Sequence, residues 1–176
     1  MLLDRLFRPR SAQAMGRALY AHAVEQSREP ALYGPLGAPD TVEGRFEIYT
    51  LHVVLLLDRL KRQGDQAAET AQGLFDTYVK ALDHALREMG VGDLSVGKKM
   101  RRLGEAFYGR VKSYESAFAA LPAIGELEAL LGRTVYAVAD VDRASDLARY
   151  VVAQREGLAA QSLERLLDGQ AVWGPV

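Results

Sequence analysis

The segment Gly92-Asp-Leu-Ser-Val-Gly97-Lys98-Lys99 comes one residue short of the phosphate-binding loop G-x-x-x-x-G-K-[ST]. In that loop backbone N–H groups cradle phosphates, the lysine reaches the outer ones, and the closing hydroxyl holds magnesium. Here Lys99 stands where the hydroxyl belongs, and a helical pattern rather than a strand precedes the glycine. The segment is therefore read as a connection between two helices, with no nucleotide chemistry assigned to it. Ser95 lacks the glycine two positions earlier that a nucleophile elbow requires and is expected to cap the following helix.

The three histidines, His22, His52 and His84, fall on three separate helical patterns. None belongs to an H-E-x-x-H pair, and none has a glutamate three residues before it, as the di-iron bundle signature demands. His22 and Glu25 stand in the reverse order, which on a helix makes a surface pair. Asp83 and His84 are adjacent and point to different sides of one helix, so they form no dyad. His52 lies inside the apolar run Leu51-His-Val-Val-Leu-Leu-Leu57 and is read as a core histidine with a satisfied ring nitrogen. The alternative, a lone axial ligand to haem iron, stays open at this point. Catalytic, cofactor-binding and metal-ligating residues are all assigned as none.

Charge is the one feature that stands out. From Lys98 to Lys112 there are six basic residues (Lys98, Lys99, Arg101, Arg102, Arg110 and Lys112) against one acid, Glu105, in a chain whose net charge is −1. Residues 123–170 have the opposite bias, with eight acids and five arginines. Such a cluster is either a solvated helix face or a contact for anionic groups, namely lipid headgroups, ribosomal RNA or the carboxylates of a partner. A second basic and apolar stretch, Leu2, Leu3, Leu6 and Phe7 beside Arg5, Arg8 and Arg10, is a weaker membrane-surface candidate.

The elements that must carry these residues are helical. Ser11 is placed as the cap of a first helix running to about Ser27. Pro30 and the Leu32–Pro39 stretch, rich in Pro and Gly, form a loop, and Asp40 with Glu43 resembles a capping box. The next helix carries Phe46, Tyr49, Val53, Leu56 and Leu60 in steps of three and four, and its further apolar residues put it in the centre of a bundle. After Gly64 a third helix carries Leu74, Tyr78 and Leu82, and a fourth carries Leu103, Phe107 and Val111, up to Pro122. Shorter helices are expected at Ile124–Leu131, Arg143–Arg155 and Leu158–Leu167, with Gly132 and Gly169 as C-terminal caps. Val135–Ala139 is the one strand-like segment, and it has nothing to pair with.

The expected fold is all-α, a single-domain bundle of at least five helices. It comprises a flexible basic tail at 1–10, a helical domain at 11–170 and a C-terminal tail at 171–176. The 176 residues can bury a core without staples. With Cys 0 there is neither a disulfide framework nor a thiolate metal site, and the charge balance carries no DNA footprint. No apolar run approaches the ~18 residues of a membrane span. A cytoplasmic protein is expected, with peripheral contact at the inner face of the membrane left open.

The stretch Leu32–Lys61, with Leu51-His-Val53 and Leu60-Lys-Arg-Gln-Gly64 as its most specific parts, resembles the bacterial branch of the ubiquinol–cytochrome c chaperone family. So do Met89–Lys99, Ala106-Phe-Tyr-Gly-Arg110 and Tyr114-Glu115. The resemblance implies a non-enzymatic chaperone that handles newly made cytochrome b, or another bc1 subunit, during assembly of the cytochrome bc1 complex. It brings no catalytic residue and no cofactor. The long N-terminal extension of mitochondrial members is missing, and Glu126-Leu-Glu-Ala-Leu-Leu-Gly-Arg133 replaces their tryptophan-containing segment.

Cytoplasmic loops of a polytopic client tend to carry Lys and Arg, so the basic cluster is assigned to lipid or ribosome rather than to the client. The client is assigned to Tyr33, Leu36 and Pro39. Two other classes are kept: the ligand-binding or dimerising core of a helical transcriptional regulator, disfavoured because no basic helix-turn-helix opens the chain, and a haem-handling helical protein, which a deep pocket containing His52 would favour.

Overall fold

A computed structural model of the chain describes the backbone of residues 2–137 and 141–176, and the side chains of 11–92, 95–137 and 143–176. Among these residues it is all helix, with no strand. The elements are α1 (Leu2–Gln26), α2 (Pro30–Tyr33), α3 (Val42–Leu60), α4 (Asp65–Glu88), α5 (Asp93–Ala119), α6 (Gly125–Leu131), a π-helical turn (Gly132–Tyr136), α7 (Val141–Ala160) and α8 (Leu163–Leu167). The all-α single-domain bundle read from the sequence is the fold of the chain.

The central element is α3, which touches α1, α4, α5, α7 and the π-helical turn. Its sequence requires this position. From Ile48 to Leu56 every residue but Tyr49 is buried, on all sides of the helix, so other helices must surround it. Val53, Leu56, Leu60, Leu74, Tyr78 and Phe107 are buried in one cluster, with Tyr49, Leu82 and Val111 half-buried against it. Leu103, expected in the core, is half-buried and stands outside that cluster.

Small residues set the approach of α1 to α4. A Cβ on Gly16 would lie 2.3 Å from Leu74 N and 2.7 Å from Thr70 O, and one on Gly73 would lie 2.9 Å from Gln13 Cα. Any side chain at Gly16 would strike backbone, so the two helices cross at a distance that glycine alone permits.

Several local expectations are revised. Helical backbone runs through residues 2–10, so Ser11 lies inside α1 rather than at its cap; the side chains of Leu2, Leu3, Leu6, Phe7, Arg5, Arg8 and Arg10 lie outside the described residues. The N-cap of α3 is Thr41, whose hydroxyl accepts from Gly44 N at 3.1 Å, while Asp40 pairs with Arg45 instead. The next-but-one helix, α5, begins at Asp93 with Gly92 as its cap residue, which leaves Ser95 inside the helix. Gly132 keeps right-handed helical angles (φ −55°, ψ −48°), and the chain continues into the π-helical turn instead of stopping there. That turn takes up Val135 and Tyr136 from the strand-like segment, of which 138 and 139 lie outside the described residues. Gly169, at φ +76°, follows α8 as the expected C-terminal cap.

Candidate functional site

The basic residues are carried by α5. Its apolar seam, Val96, Phe107, Tyr114 and Phe118, faces inward, while Lys98, Lys99, Arg101, Arg102 and Lys112 are exposed. Among the described residues none of these five makes an ion pair. Arg110 is different: its Nε and Nη2 donate to the two carboxylate oxygens of Glu47 at 2.8 and 2.7 Å. Glu47 is a buried acid on the central helix, and a fork-shaped bidentate pair is the arrangement in which a guanidinium best offsets a carboxylate removed from water. Arg110 thus ties α5 to α3, and the exposed cationic face consists of the other five.

The loop after α2 is held from both sides. The Tyr33 hydroxyl donates to Ser27 O at 2.7 Å, and the Arg45 guanidinium lies 4.9 Å from the centre of its ring. The Leu36 carbonyl accepts from the Tyr136 hydroxyl at 2.7 Å. Pro39 seats its carbonyl so closely on α3 that a Cβ at Gly44 would lie 2.1 Å away. Tyr33, Leu36 and Pro39 all keep part of their apolar surface at the solvent. They stand on one short segment that these contacts tie down.

Two features rest on partners that the local sequence does not show. The first is a groove of about 140 Å³ between α3 and α5, floored by Val54, Leu57, Val111 and Phe118. Its rim is a pair of ion pairs, Lys61 with Glu115 and Arg155 with Asp58, the latter at 2.8 Å. Arg155 also stands 4.9 Å from the centre of the Phe118 ring, and so closes one side.

The second is a buried polar chain around His52. Its side chain is sealed at 0% exposure. Nδ1 lies 2.8 Å from Ile48 O and so carries the proton, and Nε2 accepts from the Tyr150 hydroxyl at 2.8 Å. The Tyr150 hydroxyl in turn accepts from Gln26 Nε2 at 3.0 Å. Residues 171–174, expected as part of a tail, are part of this arrangement. Gly174 is bonded through both its N and O to Gln154, Trp173 Nε1 donates to His22 O at 3.1 Å, and the Trp173 ring packs edge-on to His52.

Burial, partly offset by the Ile48 carbonyl, pushes the His52 imidazole down to about 4. A neutral ring with both nitrogens used has no lone pair left for a metal. His52 is therefore a core histidine that ties α3 to α7. Among the described residues no group of three or more His, Asp or Glu is placed to hold a metal ion, and no helix is long and apolar enough to cross a membrane.

The near-match to a phosphate loop also resolves. From Asp93 onward its residues are the first turns of α5, so their N–H groups follow the helix axis and do not curl round a phosphate. Geometry brings Lys98, Lys99, Arg101 and Arg102 together on one exposed helical segment. Tyr33, Leu36 and Pro39 belong to a different part of the chain, α2 and the loop after it.

Comparison with known proteins supplies the family. The chain is 24% identical over 161 residues, 90% of its length and 80% of the relative's, to the ubiquinol-cytochrome-c reductase complex assembly factor 1 of Xenopus laevis. It superposes on the crystal structure of the Cbp3 homolog from Brucella abortus with a TM-score of 0.87, at 33% identity, covering 99% of this chain and 97% of that one. The ubiquinol-cytochrome C chaperone model matches residues 35–173, which take in the half-exposed loop from Pro35, all of α3–α8 and the docked Trp173. The chain belongs to the ubiquinol-cytochrome C chaperone family.

Proposed function

We propose that this chain is a non-enzymatic assembly chaperone that binds newly made cytochrome b and passes it into the ubiquinol–cytochrome c reductase complex, working at the inner face of the cytoplasmic membrane. The observation that carries this reading is the family match across residues 35–173, joined to a fold that closely follows a Cbp3 homolog over almost its whole length. The polar groups agree with it. Both buried constellations, Glu47 with Arg110 and His52 with Tyr150, are fully used in holding helices together.

The client contact proposed here is the patch of Tyr33, Leu36 and Pro39. A rigid loop that keeps aromatic and aliphatic surface at the solvent can take an apolar segment without first paying to order itself. A photocrosslinking residue at position 36 is expected to capture cytochrome b from membranes that are making the complex. The same residue at position 57, in the groove beside α5, tests whether the client reaches that side as well. Recovery of other proteins but no cytochrome b from both positions rejects the client assignment.

A further inference from the structure

The α4–α5 hairpin presents two kinds of side chain to solvent. Past Leu82, the last residue of α4 packed on the core cluster, α4 runs on to Glu88, and α5 returns from Asp93 to Phe107. There Leu86, Met100 and Leu103 are half-covered and stand outside the core cluster. Met89, which caps the end of α4, is 61% exposed, and Tyr108 on α5 is 64% exposed. Among the described residues these are two of the five most exposed large hydrophobic side chains. The second kind is cationic. Lys98, Lys99, Arg101 and Arg102 lie on the same α5 segment, exposed and, among the described residues, in no ion pair.

On α5, one exposed apolar side chain shares a face with the cations. A separation of seven residues brings Arg101 and Tyr108 back to the same side of a helix, roughly 10 Å apart along the axis. Lys98, Arg101 and Arg102 are spaced three and four apart and so line one stripe. Residues 123–170, with eight acids against five arginines, give another part of the chain the opposite charge.

We infer that the apex of the α4–α5 hairpin docks on the anionic lipid surface of a bilayer. Lys98, Lys99, Arg101 and Arg102 take the lipid phosphates, while Met89 and Tyr108 enter the boundary between headgroups and acyl chains. This deepens the chaperone reading, on which its purpose rests, because a receiver of a membrane subunit gains from waiting at the membrane. RNA offers the same phosphates, and a tyrosine can stack on its bases. Exposed Met89 and the half-covered Leu86, Met100 and Leu103 are what favour lipid, because aliphatic side chains gain from acyl chains and not from a ribose–phosphate backbone.

The test is flotation of the full chain with vesicles of phosphatidylcholine alone or with about 30% phosphatidylglycerol, beside binding to a labelled 20-nucleotide RNA hairpin. Binding to the anionic vesicles only, weakened by salt, is expected. Each cation reversed among K98E, K99E, R101E and R102E is expected to weaken it about fivefold or more. Met89→Ser with Tyr108→Ser is expected to weaken vesicle binding several-fold and leave RNA binding unchanged. All these side chains are exposed, and an unchanged helical circular dichroism spectrum verifies the fold of each variant.

Equal binding to both vesicle types, or none to either, overturns the inference. So does hairpin RNA binding more tightly than the anionic vesicles through the same four cations while Met89→Ser and Tyr108→Ser change nothing. No client is present in this assay, so its failure is separate from a failure to capture cytochrome b.

Discussion

His52→Gln converts the seal of the core into a measurable pH dependence. In the unfolded chain an imidazole titrates near 6.5. In the folded chain burial holds His52 down to about 4. The folded state thus favours the neutral ring, and its stability is fully present above pH 6.5. It falls as the pH drops from there toward 4, because only the unfolded chain takes up the proton, and it levels off below 4. At pH 5 the unfolded chain carries almost a full proton at this position and the folded chain about a tenth of one. The loss between pH 7.5 and pH 5 is roughly 2 kcal/mol, taken at 1.36 kcal/mol per pKa unit. Glutamine keeps one donor and one acceptor but does not titrate. Urea unfolding followed by circular dichroism, at both pH values, is expected to show the wild type losing about 2 kcal/mol more than the variant on acidification. Carboxylates shared by both proteins cancel in that difference. Equal losses, or an imidazole NMR titration of the folded protein centred near 6.5, would refute the claim that Tyr150 and Trp173 seal this ring from water.

Other substitutions test the packing. Phe107→Ala is expected to cost about 3–5 kcal/mol, whereas Leu103→Ala, one turn away and outside the core cluster, is expected to cost about 1 kcal/mol or less; equal costs in chemical denaturation would contradict the placing of Leu103 outside that cluster. Gly16→Val drives a side chain into the backbone of α4 and is expected to cost at least about 1–3 kcal/mol, lowering Tm by several degrees. An unchanged Tm would contradict the close crossing of α1 and α4.

Much of this architecture is legible in the sequence because apolar spacing reports which side of a helix is covered. The steps through Val53, Leu56 and Leu60, through Leu74 and Tyr78, and at Phe107 lead to residues that are all buried. Spacing does not report partners. Glu47 and Arg110 stand 63 positions apart, and His52 and Tyr150 stand 98 apart, and each looks ordinary within its own helix. Arg110 therefore reads as one more cation of the α5 cluster, although it is committed to Glu47. The tail is a similar case, since Trp173 and Gly174 are held by His22, Gln26, His52 and Gln154 on other helices. Helix starts are also poorly fixed by single residues. Ser11, Ser95 and Asp40 have good capping chemistry, but the helices begin elsewhere, at Leu2, Asp93 and Val42. For the candidate site, the cations of α5 are plain in the sequence. Their lack of partners and the exposure of Met89 and Tyr108 beside them are not, because both depend on where the bundle stops.

The central claim is that this chain holds cytochrome b before the complex is complete. The most direct measurement is a pulse–chase in cells that make the complex, with an affinity-tagged chain recovered from detergent extracts of their membranes. Labelled cytochrome b is predicted to come down with the chain at the earliest times and to leave it as the assembled complex accumulates. Its recovery in detergent is predicted to survive reversal of Lys98, Lys99, Arg101 and Arg102, since those cations are assigned to lipid. Recovery of cytochrome b only late in the chase, with mature complex, or loss of the client in the charge-reversed chain, would contradict the account.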